Sequence, residues 1–199
     1  STFTQGNLTH VENPFSVALE GDGFFQIRTE SGELQYTRDG SFEISPVANG
    51  NMLCTSDGNP VLDAYGNQII LPSNRVATDL VVNQDGTLAF PDGTGNPAVI
   101  TDANGRPVKF GIYQFNNPAG LSKEGSNNYS VTVASGAAVA ENGNAAVKQT
   151  KTHQYYTEAS NVDVANEMVN LIVAQRAYEM NSKAIQASDE MMQQANALR

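Results

Sequence analysis

A chain of 199 residues with 40% hydrophobic content has enough apolar material for one packed domain with appendages, or two small ones, and is globular rather than disordered. Its 21 acidic and 11 basic residues give a formal net charge of −10, which argues against nucleic acid or an anionic membrane as a partner, because both are bound by basic patches that displace counterions. The single cysteine, Cys54, excludes an intramolecular disulfide, and with only two histidines beside it there is no metal-ligand pattern; we read it as a small, partly buried apolar residue.

The chain opens at Ser1 with no initiator methionine and carries no signal peptide, transmembrane run or lipidation motif. We expect residues 1–12 to be an extended connector and a helix to lie in a segment upstream of it. From residue 13 to about 145 the apolar pattern alternates every second residue and is broken by Asp-Gly and Asn-Gly pairs: 22–23, 39–40, 49–50, 57–58, 85–86, 92–93, 104–105 and 142–143. Such pairs tolerate the positive φ of tight hairpin turns, so the spacing predicts a mainly β, antiparallel domain built of hairpins over 13–145. The expected strands are 15–20, 23–29, 34–38, 41–45, 51–55, 60–63, 68–71, 79–83, 87–90, 97–101, 107–116 and 129–133. The small, polar run over 136–153 is expected to be extended or loosely ordered, with 146–159 as the connector into the last element.

Residues 160–199 read as one long amphipathic helix. Ser160 and Asn161 are residue types that cap a first turn, and Asp163 and Glu167 place negative charge at the positive end of the helix dipole. With no Gly or Pro from Val162 to Arg199, roughly 36 residues at ~1.5 Å each make a rod on the order of 54 Å long. Val164, Leu171, Tyr178, Ile185 and Met192 recur every seven residues and define a seam for another helix, while Ala174, Asn181, Ser188 and Ala195 three residues on are small. Asn170, Gln175, Arg176, Glu179, Asn181, Lys183 and Gln186 exclude a membrane span. Assembly with another helix is favoured over folding back onto the chain's own sheet.

Catalytic chemistry finds little support. His10 and His153 have neither a nucleophile nor an orienting acid at a useful spacing, and His153 is better read as packing or capping. Asp22, Asp39 and Asp57 directly precede glycines and are explained by turns, which leaves Asp63 without a partner for glycosidic hydrolysis. Asp102-Ala-Asn-Gly105 lacks the alternating acids of a calcium loop, and no helix follows Gly21–Phe25 to supply the amides of a phosphate cradle. We expect no enzyme, no catalytic residue, no cofactor and no metal.

Two stretches are similar to known sequences. FTQGNLTHVENPFSVALEGDGFFQIRTESGELQYTRDGSFEI over 3–44 and SNVDVANEMVNLIVAQRAYEMNSKAIQASDEMM over 160–192 resemble, in the right order, the ends of the bacterial flagellar basal-body rod protein family, the rod and hook axial proteins, with the distal rod as the nearest type. Asn117-Pro-Ala-Gly-Leu121 falls where that family carries a like motif. The run into the helix, HQYYTEASNV over 153–162, departs from the family's usual Gln-Gly-x-Leu-Glu run, and residues 72–112 match loosely. Hook protein fits less well, because the β region is short for a further outer domain.

The resemblance implies a structural subunit that polymerises helically through paired terminal helices into a hollow, torque-transmitting shaft. It is exported across the inner membrane by the flagellar type III apparatus, and its partners are copies of itself, other rod subunits, hook protein and the surrounding rings, with no nucleic acid and no membrane insertion. Carried onto this sequence, Val164, Met168, Leu171, Ala174, Tyr178, Ile185 and Met192 face helix partners; Arg176, Glu179, Asn181 and Lys183 make polar contacts between subunits or line the tube. Phe24, Phe25, Tyr36 and Phe42 pack the β domain. The alternative from another class is a β-rich adhesin or phage-fibre module on a helical stalk.

Overall fold

A computed structural model describes residues 5–92, 97–161 and 164–197, with the side chains of 168–188 and 191–192 described in the last element. It divides into a β unit, Ser1–Ser160, and a helical unit, Asn161–Arg199. The β unit contains β1 (Leu8–His10), β2 (Val17–Glu20), β3 (Phe24–Arg28), β4 (Leu34–Thr37), β5 (Glu43–Val47), β6 (Gly50–Cys54), β7 (Ile70–Pro72), β8 (Val81–Val82) and β9 (Leu88–Pro91). These are followed by β10 (Pro97–Val99), β11 (Ile112–Gln114), β12 (Ser122–Gly125), β13 (Asn128–Ser130), β14 (Val139–Ala140), β15 (Lys151–Gln154) and β16 (Tyr156–Glu158). The helix is α1 (Val164–Ala197). The expected class, mainly β with one long C-terminal helix, is the one observed.

Every named strand pairing is antiparallel. A six-stranded sheet runs β12-β13-β4-β3-β11-β14, two three-stranded sheets run β5-β6-β7 and β10-β9-β8, and the remaining strands form the pairs β15-β2 and β1-β16. Because successive side chains of a strand point to opposite faces, the paired phenylalanines of β3 serve two cores. Phe25 meets Phe42 and Phe110 at ring-centroid distances of 5.0 and 5.2 Å, within the main cluster of Leu19, Ile27, Leu53, Leu71 and Leu88. Phe24 packs edge-on against Phe115 in a smaller cluster with Tyr36 and Leu121. Cys54 is buried and its Sγ reaches the carbonyl of Glu43, so it is the small packed residue expected.

The hairpins share one loop. At Thr29, Thr55, Asp63, Asn83 and Asp102 the first residue's N–H donates to the carbonyl four residues on, and the glycine three residues on donates back to the first residue's carbonyl, all at 2.8–3.0 Å. The glycines (32, 58, 66, 86 and 105) have φ between 75° and 86°. This is a three-residue hairpin loop with the glycine in the left-handed region. Three of the expected Asp-Gly or Asn-Gly pairs fall in it; Ser31-Gly32 and Tyr65-Gly66 join them because only the glycine, not the residue before it, is required. At Asp63 and Asp102 the carboxylate Oδ1 accepts the amides two and four residues on, which uses up the Asp-rich turn considered above for calcium. In the Asn83 loop, partial burial pushes the Asp85 carboxyl up, but hydrogen bonds from the Thr87 hydroxyl and amide outweigh it and leave the pKa below the usual range.

Between loops the backbone closes on itself in rings of three hydrogen bonds. Leu53 donates to Ile69, Ile69 to Val61 and Val61 to Leu53. The same closed ring links Leu88, Val108 and Ile100, and a third links Gln26, Gly111 and Leu62. Short strands thereby satisfy buried amides that a longer ladder would otherwise pair. This accounts for two departures from expectation: residues 60–63 and 107–110 contribute isolated bridges rather than continuous strands. Gly111, whose missing Cβ leaves room for the Asp63 carbonyl, separates the bridges from β11.

Other segments are more ordered than their polarity suggests. β14 and β15 lie inside 136–154 because Glu141 is buried and accepts hydrogen bonds from the Gln114 amide, the Thr150 N–H and the Thr150 hydroxyl at 2.6–2.7 Å. β12 and β13 are joined through Ser126 and Asn127, both with positive φ, directly after Gly125 at φ of 97°, and no Asp-Gly or Asn-Gly pair marks this turn. Asp92-Gly93, read as a turn, extends outside the described residues.

Gly40 and Gly66 separate two uses of glycine. A Cβ on Gly66 meets nothing within 4 Å, so Gly66→Ala carries only the left-handed backbone penalty, about 1–2 kcal/mol. A Cβ on Gly40 would sit 1.8 Å from the Val17 carbonyl, so the backbone must move. Gly40→Ala is expected to lose upwards of about 3 kcal/mol in urea unfolding, clearly more than Gly66→Ala; equal losses would show that close approach at Gly40 is not what matters there.

Candidate assembly surface

α1 is 34 residues long, about 51 Å at 1.5 Å per residue. Its side chains are exposed at every described position. At about 100° per residue, Leu171, Ala174, Tyr178, Ile185 and Met192 share one sector, drifting by roughly 20° per heptad as a seven-residue repeat does on a straight helix. Leu171 is 70% and Tyr178 77% exposed. Met168 lies beside this stripe with Ile172. Val164 lies in α1, and its side chain falls outside the described residues, as do Asp163 and the side chain of Glu167. No described helix is long and apolar enough to cross a membrane.

The expected polar contacts divide. Arg176, Glu179 and Lys183 share one sector at i, i+3 and i, i+4 spacing. Asn181 lies elsewhere, in a narrow polar strip with Asn170 and Ser188.

A second apolar stripe was not anticipated. Val169, Val173, Met180 and Met191 share a sector roughly half a turn from Tyr178 and Ile185, with Ala177, Ala184 and Ala187 filling between them. Val173 is 60% and Met180 67% exposed. The signal was present as spacings of four and seven residues, but alanines dilute it. α1 taken by itself therefore presents two apolar faces separated by polar strips, a pattern that a single helix neighbour leaves half uncovered.

The chain leaves the β unit for α1 through a neck. β1 pairs with β16 in register, Leu8 opposite Glu158 and His10 opposite Tyr156, so the incoming and outgoing segments run side by side. The Ala159 N–H donates to the Asn7 carbonyl at 2.9 Å, and Gly6 packs against the Ala159 carbonyl so closely that a Cβ would lie 1.8 Å from it. Gln5 clasps β2, its amide donating to the Leu19 carbonyl and its Oε1 accepting the Gly21 N–H. Tyr155, with φ of 65°, turns the chain from β15, paired with β2, into β16, paired with β1. A bulky residue is rare in this region.

Both histidines sit here. The His10 ring stacks on Tyr155 and meets Tyr156 edge-on, and His153 meets Tyr156 edge-on while its Nε2 lies 2.6 Å from Glu20 Oε2. The hydrogen bond with His153 is the main reason the Glu20 pKa falls below the usual range. His153 packs, as expected.

Sequence comparison gives matching identities at both ends. Residues 18–90 match the Flagellar hook protein FlgE/F/G D1 domain, and residues 153–198 match the Flagellar basal body rod FlgEFG protein C-terminal region. Among relatives, the flagellar basal-body rod protein FlgG of Borreliella burgdorferi is 39% identical over 99% of this chain and 69% of its own length. FlgG of Buchnera aphidicola subsp. Acyrthosiphon pisum is 37% identical over 98% and 69%. The flagellar hook-basal body complex protein FlhP of Bacillus subtilis is 34% identical over the same shares. These matches lend nothing to an adhesin or phage-fibre module.

Because the folded pKa of Glu20 lies below its unfolded value near 4.3, its contribution is complete above that pH and disappears as pH falls through the folded value. Glu20→Gln is therefore expected to lower Tm slightly above about pH 5 and to converge on the wild-type Tm as pH falls below about 4, so that the acid limb is flatter. An unchanged acid limb in the variant would contradict this contribution.

Proposed function

The chain belongs to the FlgG family of flagellar basal-body rod proteins, and on that premise we propose that it is a non-enzymatic structural subunit of the rod that assembles through α1. The observation that carries this reading is the pair of exposed apolar stripes on two faces of α1, which one helix neighbour cannot cover together. Burial of apolar surface is favoured by about 25 cal/mol per Å², and in a helical array each α1 gains two helix neighbours. The stripe of Leu171, Tyr178, Ile185 and Met192, continued toward Val164 and flanked by Met168 and Ala174, takes one neighbour. The stripe of Val169, Val173, Met180 and Met191 takes another. Arg176, Glu179 and Lys183 supply polar contacts between copies, and Asn181 does so from the strip opposite.

The domain division follows from the same reading: residues 13–145 form an outer β domain, 1–12 and 146–159 lead to and from it through the β1-β16 and β15-β2 pairs, and 160–199 carry the assembly helix α1. Partners are further copies, other rod subunits, hook protein and the surrounding rings. The subunit reaches the basal body through the flagellar type III apparatus, and the repeated contacts of many copies make the shaft stiff although each is weak.

Substitutions on both stripes of the full-length gene product test this directly. Leu171→Asp, Ile185→Asp, Val173→Asp and Met180→Asp should each abolish swimming in soft agar and halt rod assembly. Because all four positions are exposed, unfolding of the β unit should shift by no more than about 0.5 kcal/mol. Swimming that survives substitution on either stripe would remove that stripe from the interface. Saturable glycan binding insensitive to all four would favour the adhesin.

A further inference from the structure

The Glu158 carboxylate fastens three segments that are distant in sequence. Its Oε1 accepts the Gly6 N–H at 2.8 Å. Its Oε2 accepts Arg38 Nε–H at 2.9 Å, with Nη2 also 2.8 Å away but not aligned as a donor. The same guanidinium, through Nη1, donates to the carbonyls of Gly21 and Gly23 at 2.8 and 2.9 Å, and its carbon lies 5.6 Å from the Phe24 ring centroid. Both side chains are largely withdrawn from water, at 18% and 12% exposure. Charge-assisted bonds of this kind are roughly twice as strong as neutral ones, and a planar guanidinium holds several acceptors in fixed directions. Gly6 and Glu158 meet at one end of the β1-β16 pair, where Leu8 lies opposite Glu158; Arg38 follows β4, and Gly21 and Gly23 precede β3. The fastening therefore joins the incoming strand and the outgoing strand to the ends of β3 and β4, the two central strands of the six-stranded sheet.

We propose that Arg38 and Glu158 are positioning residues for assembly: their ion pair with Gly6 locks the neck so that the outgoing strand, followed after residues 159–163 by α1, leaves the β unit in one fixed direction. This rests on the rod reading above. A polymer with fixed symmetry requires every copy to present its assembly helix alike. An unfastened neck, the paired three-residue strands β1 and β16, is too short to hold a direction by itself.

The test has two arms on the full-length protein. In the first, amide exchange is followed in Glu158→Gln, which keeps size and removes charge, and in Arg38→Lys, which keeps charge and removes the fork. The amides of Gly6, Val11 and Ala159 should exchange about tenfold faster or more, while Gly32 and Gly58 in the hairpin loops keep their wild-type rates. Gly6→Ala, which forces the incoming strand off Ala159, should reproduce the loosening without touching either charge. In the second arm the same variants, expressed at wild-type level, should assemble few rods and swim poorly, with Arg38→Lys less impaired than Arg38→Ala.

Unchanged neck amides overturn the fastening. Loosened amides with normal rods overturn the positioning role. Leu171→Asp run in parallel separates the two readings: if it assembles normally the rod reading fails, and the exchange arm alone decides the fastening.

Discussion

Water against the two apolar stripes of α1 is the constraint on which the rest of this architecture turns. A solitary helix gains its backbone bonds at the cost of conformational entropy and is marginal unless an apolar face is packed. Here two faces ask for packing, and they lie roughly half a turn apart. Neither Leu171 and Tyr178 on one stripe nor Val173 and Met180 on the other lies buried. A helix that must be covered from both sides is an interior element of an array, which is what a shaft made of many copies provides.

The β unit meets a different requirement. Its strands are short, and it holds them not by long ladders but by closed three-bond rings at Leu53, Leu88 and Gln26 and by one loop design used repeatedly. The rings turn the chain inward and pair amides within the unit. On the reading proposed above, association falls to α1, while the neck ties the β unit to the chain leading into it. Arg38 and Glu158 connect the two requirements, because one ion pair reaches the ends of the central strands β3 and β4, the incoming strand and the outgoing strand together.

Much of this was legible in the sequence because glycines at turns act locally. The loops at Gly58, Gly86 and Gly105 and the strands between them follow from residue types a few positions apart. The FF of Gly21–Phe25 and the run Tyr36–Phe42 were readable as core, though not why Arg38 sits among them: its partners lie 120 residues away at Glu158 and 15–17 away at the two glycines. Pairing of β15 with β2 and of β16 with β1 was similarly hidden, since polar strands near the surface carry no alternation and their register depends on distant segments. The turn at Ser126-Asn127 was missed because its positive φ runs through Gly125, Ser126 and Asn127 with no Asp-Gly or Asn-Gly pair to mark it. On α1 a strict seven-residue repeat stands out, whereas the second stripe mixes large residues with alanine and shows itself only once the helix is built.

The central claim is that α1 is completed by its neighbours and not by its own chain. Amide exchange of residues 168–188 measured in the dilute full-length protein and again in assembled rods tests it most directly. The account predicts weak protection in the dilute protein, far below that of Leu53, Val61 and Ile69 in the β unit, and protection rising to their level on assembly. Full protection of 168–188 already present in the dilute monomer would contradict it.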